Sequence, residues 1–142
     1  MSKIIVVRGI PASGKSTWAK EWVFEDPIHR VRINMDDIRN MLGKYWVIER
    51  EPLVKRIKEN AIYNALDFGY DLIIDNMNLN PKEIASIKRI ISGYPEYSIE
   101  FKDFFDVPLD VCIERDSKRD NPIGAKTITD IYNKYKSLYD FS

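Results

Sequence analysis

Apolar positions along this chain follow two periods that take turns. Residues 3–8 carry a β-branched run, Ile4 to Val7, that stops at Gly9 and predicts a strand. A Gly/Pro/Ser turn follows, and residues 17–24 suit a helix, so the chain opens as strand, loop, helix. The pattern recurs, with strands predicted at residues 29–34, 71–75 and 97–105, separated by segments long enough for crossover helices. Between Glu51 and Gly69, apolar Val54, Ile57, Ala61, Ala65 and Phe68 return every three or four residues, which predicts an amphipathic helix with Gly69 as its C-terminal stop. Pro81 fits a first helical turn, and Ile84, Ile87 and Ile91 keep helical spacing until Gly93 and Pro95. Two last helices are predicted around residues 109–119 and 128–139. Residues 120–126 between them have the composition of a mobile surface loop. Strands alternating with helices argue for a parallel α/β sheet. With 142 residues and neither repeat nor linker, residues 1–142 form one domain.

Composition changes this picture mainly by exclusion. Lys plus Arg (22) balance Asp plus Glu (22), so no chain-wide positive field holds nucleic acid without specific contacts. Apolar residues at 44% and charged residues at 31% suit an ordinary folded domain. The longest apolar run is four residues, as at Ile4 to Val7, against the roughly 20 that span a bilayer. No membrane partner is therefore expected. No signal-peptide pattern opens the sequence, which makes a cytosolic location the default. With Cys112 and His29 as the only residues of their types, an intramolecular disulfide and any Cys-cluster zinc site are excluded. Chemistry must come from Lys, Arg, Asp, Ser and Thr.

The segment Gly9-Ile10-Pro11-Ala12-Ser13-Gly14-Lys15-Ser16 matches G-x-x-x-x-G-K-[ST] in full, directly after the first strand and before a helix. A chain of this length contains the pattern by chance roughly once in 200 cases, and the strand and helix context lowers that further. Glycines let the backbone curl so that successive amides face a β-phosphate, and the helix N-terminus adds its positive dipole end. Lys15 would reach the β- and γ-phosphates and Ser16 would ligate Mg²⁺, so a nucleoside triphosphate, ATP or GTP, is the expected ligand.

The second strand ends in Ile33-Asn34-Met35-Asp36-Asp37-Ile38-Arg39, at the sheet edge where open α/β sheets bind ligands. Asn34 is placed to cap a helix with Asp37 at its third position, which accounts for Asp37 without catalysis. Asp36 and Arg39 are three apart and share a helical face. The carboxylate could take a proton from an acceptor hydroxyl and the guanidinium could fork a phosphate, or the two could form a surface ion pair. Leu72-Ile73-Ile74-Asp75 ends in an acid as a Walker B strand does, and Asn76 to Asn78 replace the Glu that an ATP-driven motor would offer. Arg115, Lys118 and Arg119 are read as one side of a helix that could close over a triphosphate, or as a solvated face paired with Glu114, Asp116 and Asp120. Trp18, Tyr45 and Trp46 are expected in the core.

These residues, together with 9–19, 33–39, Asn78 to Pro81, Phe105 to Pro108 and 115–119, give the chain an end-to-end resemblance to the 5′-kinase domain of bacteriophage-type polynucleotide kinases. The resemblance implies a P-loop kinase fold, with a four-stranded, mainly parallel sheet flanked by helices and a C-terminal helical lid. It implies ATP as donor with Mg²⁺, and DNA or RNA 5′-hydroxyl ends as acceptor. By position, Gly9, Pro11, Ala12, Ser13, Gly14, Lys15, Ser16 and Thr17 hold the nucleotide phosphates, with Arg115 and Arg119 from the lid. Ser16 and Asp75 serve the metal, while Lys15, Asp36, Arg39 and Arg119 carry the transfer. Asp36 acts as base and Arg39 holds the acceptor's 3′ phosphate. Two departures stand out. The segment from Asp75 to Pro81 is one residue longer than the family's, and the family's Asp-x-Asp-Gly-Thr phosphatase motif is absent from this sequence. If phage-encoded, the chain would work in a host cytoplasm. A small-molecule or nucleoside kinase of the same superfamily, and a nucleotide switch without transfer, are the rival readings.

Overall fold

β1 (Ser2–Arg8) is buried from Ile4 through Val7, and β3 (Asp71–Asp75) from Leu72 through Asp75, so both central strands have covered faces. That is why their sequences run apolar without alternation. In the computed structural model, which describes residues 2–141, they form the middle of a four-stranded sheet in the order β2 (Arg30–Ile33), β3, β1, β4 (Tyr97–Asp103). Every pairing is parallel, Ile5 beside Ile73 and Glu100, and Ile33 beside Ile74. The sheet is thus wholly parallel rather than mainly so.

Crossovers are supplied by α1 (Lys15–Glu25), by α2 (Met35–Met41) and α3 (Glu51–Asp67) with a 3₁₀ turn at Ile48–Arg50 between them, and by α4 (Pro81–Ile91), while α5 (Leu109–Ser117) and α6 (Ala125–Tyr135) follow the last strand. Successive side chains of a strand point to opposite faces, and the core divides accordingly. Ile4, Val6, Leu72 and Ile74 pack with Ile62, Leu66 and Ile87 of α3 and α4, while Ile5, Val7 and Ile73 pack with Ala19 and Trp22 of α1. A third cluster, built on Cys112, Ile128, Tyr135, Ile10 and Leu79, ties the α5–α6 lid to the phosphate loop. Among the described residues no helix is long and apolar enough to cross a membrane.

Several boundaries differ from those predicted. Helix α1 begins at Lys15 because the chain turns directly at Gly14, whose φ is 100°. Strand β4 stops at Asp103, two residues short of the predicted end. Helix α5 ends at Ser117, so Arg119 stands beyond the helix rather than on it. Helix α6 starts at Ala125, after Gly124 at φ 102°, and ends at Tyr135. Helix α3 stops where predicted, with Gly69 at φ 79° and Tyr70 N–H bonded to Ala65 C=O. Its buried face is rotated from the predicted stripe: Val54, Lys58, Ile62, Ala65 and Leu66 face inward, and Phe68 is 82% exposed. The reason is Lys58, whose Nζ donates to Glu83 Oε2 of α4 at 2.8 Å and whose stem packs as apolar chain.

Candidate active site

The phosphate loop leaves β1 at Gly9, whose N–H donates to Met77 C=O at 3.1 Å. A Cβ on Gly9 would lie 2.7 Å from Ser13 Oγ and 3.2 Å from Phe104 Cβ, so glycine is required there. Ala12 (φ 64°) and Gly14 (φ 100°) are left-handed, which curls the loop between its ends. No side chain caps the N-terminus of α1 and its first turn holds no acid, in contrast to α2 and α4, which Asn34 and Asn80 cap. The orphan amides and dipole of α1 therefore face the loop concavity, as anion binding requires.

Lys15 is 8% exposed, and its Nζ donates to Ile10 C=O at 2.7 Å and to Ser13 Oγ at 3.4 Å. Burial pushes its ammonium down to about 8. The attraction of Asp75 and, more weakly, of Asp36 opposes burial, whereas Arg119 adds to it. Groups from four separate segments thus meet at one ammonium.

Asp75 is fully buried at the end of β3. Its Oδ2 accepts from Arg32 Nε at 2.7 Å, and Arg32 also pairs with Asp37. Its Oδ1 has no partner. The adjoining segment, one residue long against the family pattern, stitches strand ends together. Asn78, at φ 51°, donates to Val7 C=O at 2.7 Å and to Ile74 C=O at 3.1 Å, while Asn76 Oδ1 accepts from Met35 N–H. With the extra residue in place, Asp75 is still the charge that most favours the Lys15 ammonium.

Asn34 caps α2 as predicted, its Oδ1 accepting from Asp37 N–H at 2.9 Å. This helix start carries Asp36 and Arg39, which do share a face: Arg39 Nη1 donates to Asp36 Oδ1 at 2.7 Å. Two partners were not foreseen. Glu51, from α3, accepts from both Nε and Nη2 of Arg39, and Tyr45 Oη donates to Asp36 Oδ1 at 3.0 Å. Burial, then Asp36, pushes the Tyr45 phenol up to about 12. Tyr45 and Trp46 are 44% and 53% exposed, which overturns their expected place in the core. Neither appears in an apolar stripe that α2 or α3 buries, because the loop after Gly43 (φ 102°) carries them outward.

On the other side of the loop lies a cleft of about 580 Å³ between Ser13, Thr17, Trp18, Phe104, Arg115 and Arg119. Trp18 and Phe104 meet edge to face with centroids 6.3 Å apart. Arg115 Nη1 reaches Ala12 C=O at 3.5 Å. Arg119 lies 3.8 Å from Asp116, whereas Lys118 pairs with Glu114 in solvent and takes no part. Asp116, read from sequence as a surface ion-pair partner, is 2% exposed and accepts from Ile123 N–H and Gly124 N–H at 3.0 and 2.9 Å. It pins the loop between α5 and α6. Glu51 carries no sequence signal, and the buried contacts of Asp116 and Asn78 are not readable from their motifs, since each acts across a distance that only the fold closes.

Mg²⁺ fits this donor set. The unpartnered, buried Oδ1 of Asp75 stands near Lys15, and Ser16 is half-buried at the start of α1. No group of three or more His, Cys, Asp or Glu able to hold a metal exists among the described residues.

Comparison with known proteins agrees with this geometry. A protein of Autographa californica nuclear polyhedrosis virus, provisionally named a bifunctional polynucleotide kinase/RNA ligase, is 24% identical over 98% of this chain and 22% of its own length. An L-seryl-tRNA(Sec) kinase from Methanococcus maripaludis is 22% identical over 93% of the chain and 52% of its own. A chain of the Pnkp1/Rnl/Hen1 RNA repair complex superposes with a TM-score of 0.75 at 26% identity, covering 99% of this chain and 47% of that one. The APS kinase CysC of Mycobacterium tuberculosis shares the fold alone, at a TM-score of 0.63 and 16% identity over 99% of this chain and 78% of that one. The chain thus spans between about a fifth and half of its curated relatives. A family model described as an AAA domain matches residues 4–138, and the chain belongs to that family, with the fold of P-loop kinases.

Proposed function

We propose that this domain transfers the γ-phosphate of ATP to the 5′-hydroxyl of a DNA or RNA end. The observation that carries the proposal is the pairing of Asp36 with Arg39 on the first turns of α2, which follows β2 on the same parallel sheet whose β1 leads into the phosphate loop, with Asp36 weakly favouring the Lys15 charge. A carboxylate at the phosphate-loop lysine is where an acceptor hydroxyl must be oriented and deprotonated for in-line attack.

ATP lies with its phosphates in the concavity of residues 9–17 and its base against Trp18 and Phe104. Lys15 exchanges its bonds to Ile10 and Ser13 for phosphate oxygens. Arg115 and Arg119 close from the lid, where positive charge favours the charge that develops between donor and acceptor. Asp36 accepts the hydroxyl proton, and Arg39 fixes the acceptor's adjacent phosphate and the Asp36 carboxylate together. Ser16 and Asp75 would hold Mg²⁺, which neutralises charge on the β- and γ-phosphates when bound.

A second reading has one observation behind it. Arg39 is already engaged by Asp36 and Glu51 on three of its nitrogens, so it could serve only to orient Asp36, with a small-molecule hydroxyl as acceptor. Labelled ATP and Mg²⁺ offered to 5′-hydroxyl oligonucleotides, 5′-phosphorylated controls, nucleosides and sugars separates the two. Label on the oligonucleotides alone supports the first reading, and label on nucleosides or sugars alone replaces it with the second.

A further inference from the structure

We propose that Tyr45 and Trp46 form a stacking platform for the nucleobase at the 5′ end of the acceptor strand, an inference that rests on the function proposed above. Large aromatic side chains are enriched inside proteins, yet these two are about half exposed on the loop between α2 and the 3₁₀ turn. Neither ring pairs with another aromatic ring or joins a core cluster among the described residues.

Both rings are tied instead to the two residues that handle the acceptor. The Tyr45 hydroxyl donates to Asp36 Oδ1 at 3.0 Å, and the guanidinium carbon of Arg39 lies 5.4 Å from the centre of the Trp46 ring. Other exposed apolar side chains, such as Phe24, Ile28 and Phe68, show no hydrogen bond or ring contact to Asp36 or Arg39, and exposed apolar residues are ordinary on folded domains. Close to the pair in sequence, Met41, Ile48 and Leu53 are also exposed.

The occupant follows from what must sit beside this patch. A 5′-hydroxyl held at Asp36 belongs to a sugar whose other substituents are a base and a 3′ phosphate. If the phosphate lies toward Arg39, the base needs a flat, apolar neighbour, and stacking supplies it without regard to base identity. A sugar or other small polar acceptor would leave both rings without a partner.

The test compares two oligonucleotides that differ only at the 5′-terminal nucleotide, one carrying its base and one abasic, both with a free 5′-hydroxyl. The native protein is expected to show a KM roughly tenfold lower for the base-bearing end, the range of one base stacked on an aromatic ring. Trp46→Ala should collapse that ratio toward one, and Trp46→Phe, which keeps a π-face, should restore most of it. Equal KM values for the two ends in the native protein, or an unchanged ratio in Trp46→Ala, overturn the platform while leaving the kinase reading intact. A patch that serves a protein partner gives that same equality. If no oligonucleotide accepts phosphate, the proposed function and the platform fall together.

Discussion

The Glu51 carboxylate forks the Arg39 guanidinium, Oε2 accepting from Nε at 3.0 Å and Oε1 from Nη2 at 2.6 Å. That edge is the one a phosphate would take bidentately, so Glu51 stands where an acceptor phosphate would bind Arg39. Glu51→Gln, which keeps volume and removes charge, should lower KM several-fold for acceptors bearing a 3′ phosphate, with little change for acceptors lacking one. The half-buried pair should cost about 1–2 kcal/mol of stability when broken, readable as a drop in melting temperature. A fall in kcat with KM unmoved would assign Arg39 to the orientation of Asp36 instead.

Asp36→Asn removes the base and leaves the phosphate loop untouched. Transfer should fall by about 10²–10⁴-fold in kcat, with ATP affinity by equilibrium titration nearly native. Near-normal turnover would remove Asp36 from the proton transfer.

How much of this was legible beforehand depends on the reach of each interaction. The strand, loop and helix around Lys15, the cap at Asn34 and the stop at Gly69 all act within a few residues, where local rules apply. The pairing of Asp36 with Arg39 is also local, at helical spacing three. What escaped lies between elements. Lys58 reads as solvent-facing until Glu83 of α4 is brought to it, and without that pairing the apolar stripe of α3 reads as running through Ile57 and Phe68. Glu51 carries no motif, because its role exists only where α3 crosses α2. Residue type places Tyr45 and Trp46 in the core, a tendency that the exposed loop after Gly43 overrides.

Lys58 gives a direct check of that lesson. Its ammonium is nearly buried and its one carboxylate partner is Glu83. Glu83→Gln should destabilise the domain by about 2 kcal/mol, less than for a wholly buried pair because Glu83 is partly exposed. Lys58→Met, matched in length and apolar, should recover stability in the Glu83→Gln background. Denaturant unfolding of the four proteins measures both effects and their coupling.

Asp116 joins lid order to nucleotide binding. With both its oxygens taken by Ile123 N–H and Gly124 N–H, Asp116→Ala leaves two donors to find water and frees the loop after Arg119. A loss of about 2 kcal/mol is expected, together with a raised KM for ATP and faster proteolysis within residues 118–124. Acceptor KM should move far less. Equal weakening of both substrates would mean that the loop shapes the whole cleft.

Lys15 carries the pH dependence. The unfolded chain holds this proton to about its ordinary value of 10.5, whereas the folded chain releases it near 8. The burial penalty is therefore present in full below pH 8 and is shed as pH climbs from 8 to 10.5, where the unfolded state binds more protons than the folded one. Lys15→Met should be more stable than the native protein at pH 7, with a margin that shrinks over that window. Triphosphate binding reverses the shift, because anionic oxygens around the ammonium favour its charged form. At pH 8 the native domain should take up about half a proton per nucleotide bound, and close to none at pH 6.5. Calorimetry in two buffers of unlike ionisation enthalpy reads the difference. Identical binding heats in both buffers at pH 8 would mean that Lys15 is already charged in the free domain, and that its bonds to Ile10 and Ser13 fully offset its burial.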